Sequence, residues 1–249
     1  MKVYLITLLS LASLAFADQT DHLFQQGVQA YQSGDYAKAI ESFQGVLQLG
    51  QESAALYFNL GNAYYKTDDI ARAIVNYERA KRLDAHDEDI DFNLQIAQLR
   101  VVDKIPTPEM DYFFKLWQDI KNGISMNLLT ILALAVYILL IVLWIMKLFA
   151  KRPALQNGVR YAVTPTLIVL LLISLLFGLR LHEDLTTRYG VILAHKVAVT
   201  SSPAADATEV FALHEGVKVR IVATSGDFFR IRLSDGKDGW VQAETLQII

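Results

Sequence analysis

Three different rhythms of hydrophobic and polar positions run along this chain. Two apolar stretches, Leu128 to Met146 and Val163 to Leu179, carry no ionisable side chain. As a helix at ~1.5 Å per residue the first spans ~28 Å, close to the ~30 Å of hydrocarbon in a bilayer. Before them lies a stretch that repeats with a period of 34 residues. After them, from Tyr189 onward, short alternating segments read as strands: Gly190 to Thr200, Glu209 to Phe211, Gly216 to Ala223, Phe228 to Leu233 and Gly239 to Gln242. Ser201-Ser202-Pro203, Ser225-Gly226-Asp227 and Asp235-Gly236-Lys237 mark turns between them.

The two apolar runs set the topology. The segment joining them holds Lys147, Lys151, Arg152 and Arg160 and no acid, whereas the outer flanks mix both signs. The positive-inside rule makes that loop cytoplasmic, so the hairpin returns the chain to the side it left. Thr164-Pro165 reads as the start of the second span, because proline is tolerated in a first turn. Upstream, Met1 to Ala17 has Lys2, an apolar stretch and Ala15-Phe16-Ala17, the pattern of a signal peptide. Met110 to Ser125 sets Tyr112, Phe113, Phe114, Leu116, Trp117, Ile120 and Ile124 among charges. Its place just before a span favours a helix lying in the headgroup layer; the competing reading is a helix that packs on the repeats.

In the repeating stretch, Gly27 matches Gly61, Ala39 matches Ala73 and Phe43 matches Tyr77, each 34 positions on. The second copy reads Tyr57-x-x-Leu60-Gly61-x-x-Tyr64, then Ala73-x-x-x-Tyr77 and Ala80, which resembles the tetratricopeptide (TPR) repeat. Ala85 stands where that family has a proline. A third helix from about Asp87 carries Ile90, Leu94, Ala97 and Gln98 in register but ends at Ile105-Pro106, so it is expected to cap the array. The resemblance implies a partner-binding groove along the first helix of each pair. Position by position it would comprise Phe24, Gln25, Val28 and Tyr31; Phe58, Asn59, Asn62, Tyr65 and Lys66; and Phe92, Asn93, Ile96 and Arg100. Each of these is also open to the plainer reading of packing or a solvated surface. A lysine clamp for a C-terminal carboxylate is missing.

In the last part, His195-Lys-Val-Ala-Val-Thr-Ser-Ser-Pro203, Leu213-His-Glu-Gly216-Val-Lys-Val and Asp238-Gly239-Trp240-Val241 resemble the bacterial SH3-like domain. That implies a small barrel in which Trp240 packs across the interior with room left by Gly239. Phe228, Phe229 and Trp240 form the candidate ligand face.

Composition narrows the chemistry. Over 249 residues at 53% hydrophobic, the charge is −6 for Asp18 to Lys104, +4 for Ile105 to His182 and −2 for Glu183 to Ile249, with Lys2 completing the net −3. Neither soluble part is basic, which argues against nucleic acid. The absence of cysteine excludes disulfides and thiolate chemistry. The five histidines are scattered. The acids Asp84, Asp87, Glu88, Asp89 and Asp91 read as a helix N-terminus complementing its dipole. No phosphate loop, nucleophile elbow or matched carboxylate pair is visible, so no enzyme, cofactor or metal is expected.

The expected architecture is a multidomain membrane protein: an all-α TPR helical array, a two-helix transmembrane hairpin and an all-β SH3-like barrel. Its parts are a signal peptide (1–17), repeats with a capping helix (18–104), an amphipathic juxtamembrane segment (105–126), a first span (127–149), a cytoplasmic loop (150–160), a second span (161–181) and the SH3-like domain (188–249). In this order, and in Asp91-Phe-Asn-Leu94-Gln-Ile-Ala-Gln-Leu-Arg100-Val-Val-Asp103-Lys-Ile105, the chain resembles the BatE-type proteins of bacterial aerotolerance operons. That resemblance implies an inner-membrane, two-pass protein with both soluble domains in the periplasm. It also implies an adaptor working with von Willebrand A-domain membrane proteins and a MoxR-type ATPase. The alternative is a cell-wall sensor or anchor whose SH3-like domain binds peptidoglycan.

Overall fold

A computed structural model describes residues 19–106, 111–204 and 206–249. The signal peptide read at 1–17 lies outside them. Two compact units result: one combines the helices before Thr107 with Arg188–Ile249, and the other lies within Pro108–Thr187.

Among the described residues the first unit carries five helices: α1 over 19–32, α2 Tyr36–Gln48, α3 Ala54–Lys66, α4 Ile70–Leu83 and α5 Glu88–Leu99. The 34-residue period is visible in the backbone itself. Gly34 (φ 84°) and Asp68 (φ 67°) take the left-handed conformation, each followed by an aspartate that caps the next helix. Asp35 accepts from the Lys38 amide at 3.1 Å and Asp69 from the Arg72 amide at 3.0 Å. Ser53 caps α3 in the same way, and Asp87 accepts from the amides of Asp89 and Ile90. The acidic cluster at 84–91 therefore includes the cap of α5.

Small residues let the helices of a pair approach. A Cβ on Gly27 would stand 2.5 Å from Phe43 Cε1, and one on Gly61 would stand 2.7 Å from Tyr77 Cδ1. Ala39 and Ala73 are wholly buried beside them. Leu94 and Ala97 of α5 join the core formed by the two pairs, while Ile90 packs with Tyr57 and Ala80. The fifth helix thus covers the second pair.

Seven antiparallel strands complete this unit: β1 Arg188–Ile192, β2 Lys196–Thr200, β3 Glu209–His214, β4 Lys218–Ser225, β5 Phe228–Arg232, β6 Asp238–Gln242 and β7 Leu246–Ile248. Their order is β3-β2-β6-β5-β4-β1-β7, and the two outermost strands are not paired with each other among the described residues. Inward residues of all seven, from Ile192 and Val199 to Ile231 and Leu246, share one core. The single strand expected from Gly190 to Thr200 is two. At Leu193 and Ala194 the chain bends, with both amides donating to the Thr245 carbonyl, while Ile192 pairs with Val217. The strand β7 has no counterpart in the sequence pattern.

The sheet packs directly on the helical array. Val191 and Ile249 belong to the array's core, and Val101 packs against both cores. Lys218 Nζ lies 2.7 Å from Glu78 Oε2 on α4, and Arg79 donates to the Ile248 carbonyl at 2.8 Å. Just beyond α5, Asp103 accepts from the His214 backbone amide at 2.6 Å, and its other oxygen lies 3.1 Å from His214 Nδ1.

The second unit contains α6 Tyr112–Asn122, α7 Met126–Phe149 and α8 Pro153–Thr186. Both α7 and α8 are long and apolar enough to cross a membrane, and of their residues only Leu129 and Val159 are buried. Two expectations are corrected here. The second long helix starts at Pro153, not at Thr164-Pro165, so the loop expected over 150–160 shrinks to a short link at Ala150 to Arg152. Pro153 occupies the first turn, where its missing N–H is no loss; Pro165 sits inside the helix. The neighbouring Thr166 hydroxyl donates back to the Ala162 carbonyl at 2.8 Å. At the far end Lys121, only 5% exposed, pairs with Glu183, and Arg180 donates to the Ile124 carbonyl. The end of α6 and the link before α7 are thereby tied to the end of α8. The aromatics of α6, Tyr112, Phe113, Phe114 and Trp117, are exposed.

Candidate functional site

The first helix of each pair, α1 and α3, together with α5, supplies the residues expected to line a groove. Spacing of three and four places Phe58, Asn62 and Tyr65 on one face of α3. What each does there differs. Phe24 is half-buried with its ring 5.7 Å from that of Phe43, Tyr31 meets Tyr36 edge-on at 5.3 Å, and Phe58 lies 6.0 Å from Tyr77. These three are largely packing. Asn59 donates back to the Ala55 carbonyl of its own helix at 2.8 Å. Lys66 is exposed, and Phe92 is 63% exposed.

The centre of the face is a pair of amides. Asn62 Oδ1 accepts from the Tyr77 hydroxyl at 2.8 Å and from Asn93 Nδ2 at 2.9 Å. That joins α3, α4 and α5 through one oxygen. Asn62 Nδ2 and Asn93 Oδ1 make no hydrogen bond among the described residues, and neither atom is buried. A donor and an acceptor so placed match the carbonyl and N–H of a peptide backbone. Beside them Arg100 lies over the Tyr65 ring at 5.7 Å and bonds Asp68 at 2.6 Å, which ties the end of α5 to the α3–α4 turn. The sequence shows the asparagines as polar positions on an apolar helix. It does not show that one of them braces the tyrosine beneath.

Burial pushes the Tyr77 phenol well above the ordinary tyrosine range, and burial does the same, less strongly, to Tyr64, which accepts from Gln44 at 2.7 Å. An acid whose folded pKa is raised binds its proton more tightly folded than unfolded. The associated stability is complete below the unfolded value of ~10 and is lost as pH rises through the folded one. Chemical denaturation of the full chain in detergent at pH 8 and at pH 11 is therefore expected to show a marked alkaline loss. In Tyr77→Phe that loss is smaller, although the variant gives up about 1 kcal/mol at pH 8 with its hydrogen bond to Asn62. Equal alkaline losses in both proteins would contradict this.

On the sheet, the expected ligand face divides. Along β6 Gly239 and Val241 face the core, so Trp240 lies on the opposite, outer side. It does not pack across the interior. A Cβ on Gly239 would stand 2.5 Å from Val199 Cγ1, which is why glycine is required there. Phe229 packs against the core, whereas Phe228 alternates to the outer face with Trp240. Among the described residues, no three His, Asp or Glu side chains converge as a metal site would require.

Comparison with known proteins finds family matches in both the helical array and the sheet. Residues 27–68 match the family described as TPR repeat, 54–87 the Tetratricopeptide repeat and 196–247 the Bacterial SH3 domain. The chain therefore carries TPR repeats and a bacterial SH3 domain. No curated protein matches it. Among solved structures it is similar to the Yersinia enterocolitica type III secretion chaperone SycD in complex with a peptide of the translocator YopD. Identity is 17%, coverage 64% of this chain and 94% of that one, and TM-score 0.32. A second structure, of that translocator chaperone SycD, gives the same identity and TM-score over 86% of its length.

Proposed function

We propose that this protein is a non-enzymatic adaptor, anchored in the bacterial inner membrane by α7 and α8, that holds a partner protein on the face formed by α1, α3 and α5. The observation that carries this is the open amide edge of Asn62 and Asn93 beside the exposed Phe92. An extended segment would pair its backbone there and set an apolar side chain on the ring. The sheet docks on α4 and leaves that edge free. Membrane anchoring is supported by two long helices whose apolar side chains are mostly left uncovered by the protein itself. The positive charges of Lys147, Lys151, Arg152 and Arg160 around their short link favour a cytoplasmic turn. Both soluble modules would then be periplasmic, after an export signal at 1–17. The exposed aromatics of α6 suit the headgroup layer.

The order of modules and the stretch Asp91 to Ile105 resemble BatE-type proteins, which suggests von Willebrand A-domain membrane proteins and a MoxR-type ATPase system as partners in envelope stress tolerance. A second reading, a cell-wall ligand on the sheet, draws on Phe228 and Trp240 sharing one outer face.

Cross-linking and recovery from solubilised bacterial membranes test the first reading. Phe92→Ala is expected to change stability by under about 0.5 kcal/mol, because the ring is exposed. Partner recovery is expected to fall about fivefold or more, as for an interface anchor. Unchanged recovery, together with sedimentation of the full chain on isolated sacculi, would instead favour the cell wall.

A further inference from the structure

Away from the groove, a cavity of about 590 Å³ opens where the chain leaving α5 passes over the outer face of β4 and β5. The chain beyond α5 offers Val101, Lys104 and Ile105, and the sheet side carries a row of side chains on one face. Cross-strand pairing of Tyr189 with Arg220, and of Arg220 with Arg232, puts these three side by side. Lys218 stands two residues before Arg220 on the same face.

The charges in this cavity are unbalanced. Lys104, Lys218, Arg220 and Arg232 border it against one carboxylate, Asp103, which already holds His214. Lys218 bonds Glu78, and Lys104 donates to the carbonyls of Gln98 and Leu99. Arg232 reaches Asp238 only at 3.3 Å, and that carboxylate is held more closely by Arg230 at 2.8 Å. The Arg220 guanidinium has no hydrogen bond or ion pair among the described residues. Like charges directly opposite each other destabilise a sheet, so Arg220 against Arg232 costs the fold stability with no return inside the protein. An anion between the two guanidinium groups removes that cost.

We propose that this cavity is a second recognition site, separate from the groove on α1, α3 and α5, for an extended peptide segment with an acidic side chain beside an apolar one. The carboxylate lies between Arg220 and Arg232, whose planar forks suit bidentate pairing. The apolar neighbour lies against Val101 and Ile105. The apolar wall and a volume in the range of built ligand sites favour a peptide, because a small free anion would leave that wall wet. The site does not depend on the groove reading, and either can fail alone.

The test uses the full chain in detergent micelles and fluorescence anisotropy of a labelled peptide, Gly-Leu-Glu-Val-Glu-Leu-Gly. Saturable binding is expected. Replacing both glutamates by glutamine, or Arg220 by glutamine in the protein, is expected to weaken it about tenfold or more, as for loss of a charge-assisted pair. Lys38→Gln, a change of equal charge on α2, leaves it unaltered. Arg220→Gln is also expected to melt at the same or a higher temperature, since it relieves a repulsion. The proposal is overturned by equal binding of the glutamine peptide, by undiminished binding to Arg220→Gln, or by a lower melting temperature of that variant. It is equally overturned if inorganic phosphate binds the protein while the peptide does not.

Discussion

Gly61→Val unfolds the second repeat. A Cβ at this position would stand 2.7 Å from both Cδ1 and Cε1 of Tyr77 and 3.3 Å from the Ala73 carbonyl oxygen. The ring cannot step aside, because Tyr77 is 1% exposed and its hydroxyl is tied to Asn62. Overpacking by a single methylene costs about 1–3 kcal/mol, and valine adds two further methyls, a cost larger than the few tenths of a kcal/mol by which its helix propensity exceeds that of glycine. Domains of this size are stable by only about 5–15 kcal/mol, so a loss of several is close to the whole margin. Helical circular dichroism of the full chain in detergent should show the array signal melting far below that of the wild type, with Gly61→Ala intermediate. Gly45→Ala is the informative contrast. Its new Cβ would rest 3.4 Å from Leu23 Cδ1, a tight but yielding side-chain contact, and alanine favours a helix over glycine by about 1 kcal/mol. Wild-type melting of Gly61→Ala would show that the closeness of α3 and α4 is not what requires glycine.

The second large effect lies where the sheet meets the array. Gly216 has φ +85°, and a Cβ there would stand 2.7 Å from Val101 Cγ2 and 3.3 Å from Ile74 Cδ1. Gly216→Val therefore imposes a left-handed conformation on a β-branched residue and drives it into the seam. The two costs are about 1–3 kcal/mol each. Without the seam, Glu78, 6% exposed, also loses Lys218, and a carboxylate left there unpaired opposes re-docking. Limited proteolysis is expected to cut Gly216→Val within residues 101–106, where the wild type resists, and thermal unfolding to split from one transition into two. A variant that keeps protease resistance and a single transition would show that the two modules cohere without this contact.

Much of the array was legible because its determinants are local and recur. The glycine-to-aromatic relation is stated twice at one spacing, and so are the turn and the capping aspartate, as Gly34-Asp35 and Asp68-Asp69. Strand limits were less legible. The bend at Leu193 and Ala194 exists because Thr245, far along the chain, captures both amides. Pro165 misled for a related reason. A proline usually marks a helix start in water, but within an apolar helix the surrounding turns retain their hydrogen bonds and the helix continues. At the groove, residue types showed which positions were polar or aromatic, not which were already engaged. Asn62 looks like a free recognition residue in sequence, yet half of it supports Tyr77. The seam was not legible at all. No periodicity connects Glu78 with Lys218 or Asp103 with His214, and such pairs appear only once the chain has closed on itself.

That closure bears on how the protein is made. The unit that carries the groove is interrupted by the whole stretch from Pro108 to Thr187, and Asp103 meets a residue 111 positions later. At ribosomal speeds of roughly 5–20 residues per second, the interval between those two is on the order of 5–20 s. Throughout it, Val101 and the flank of Ile74 wait as bare hydrocarbon on a nascent chain. A stalled or truncated product would keep that surface permanently, and it would be a target for holdases and proteases.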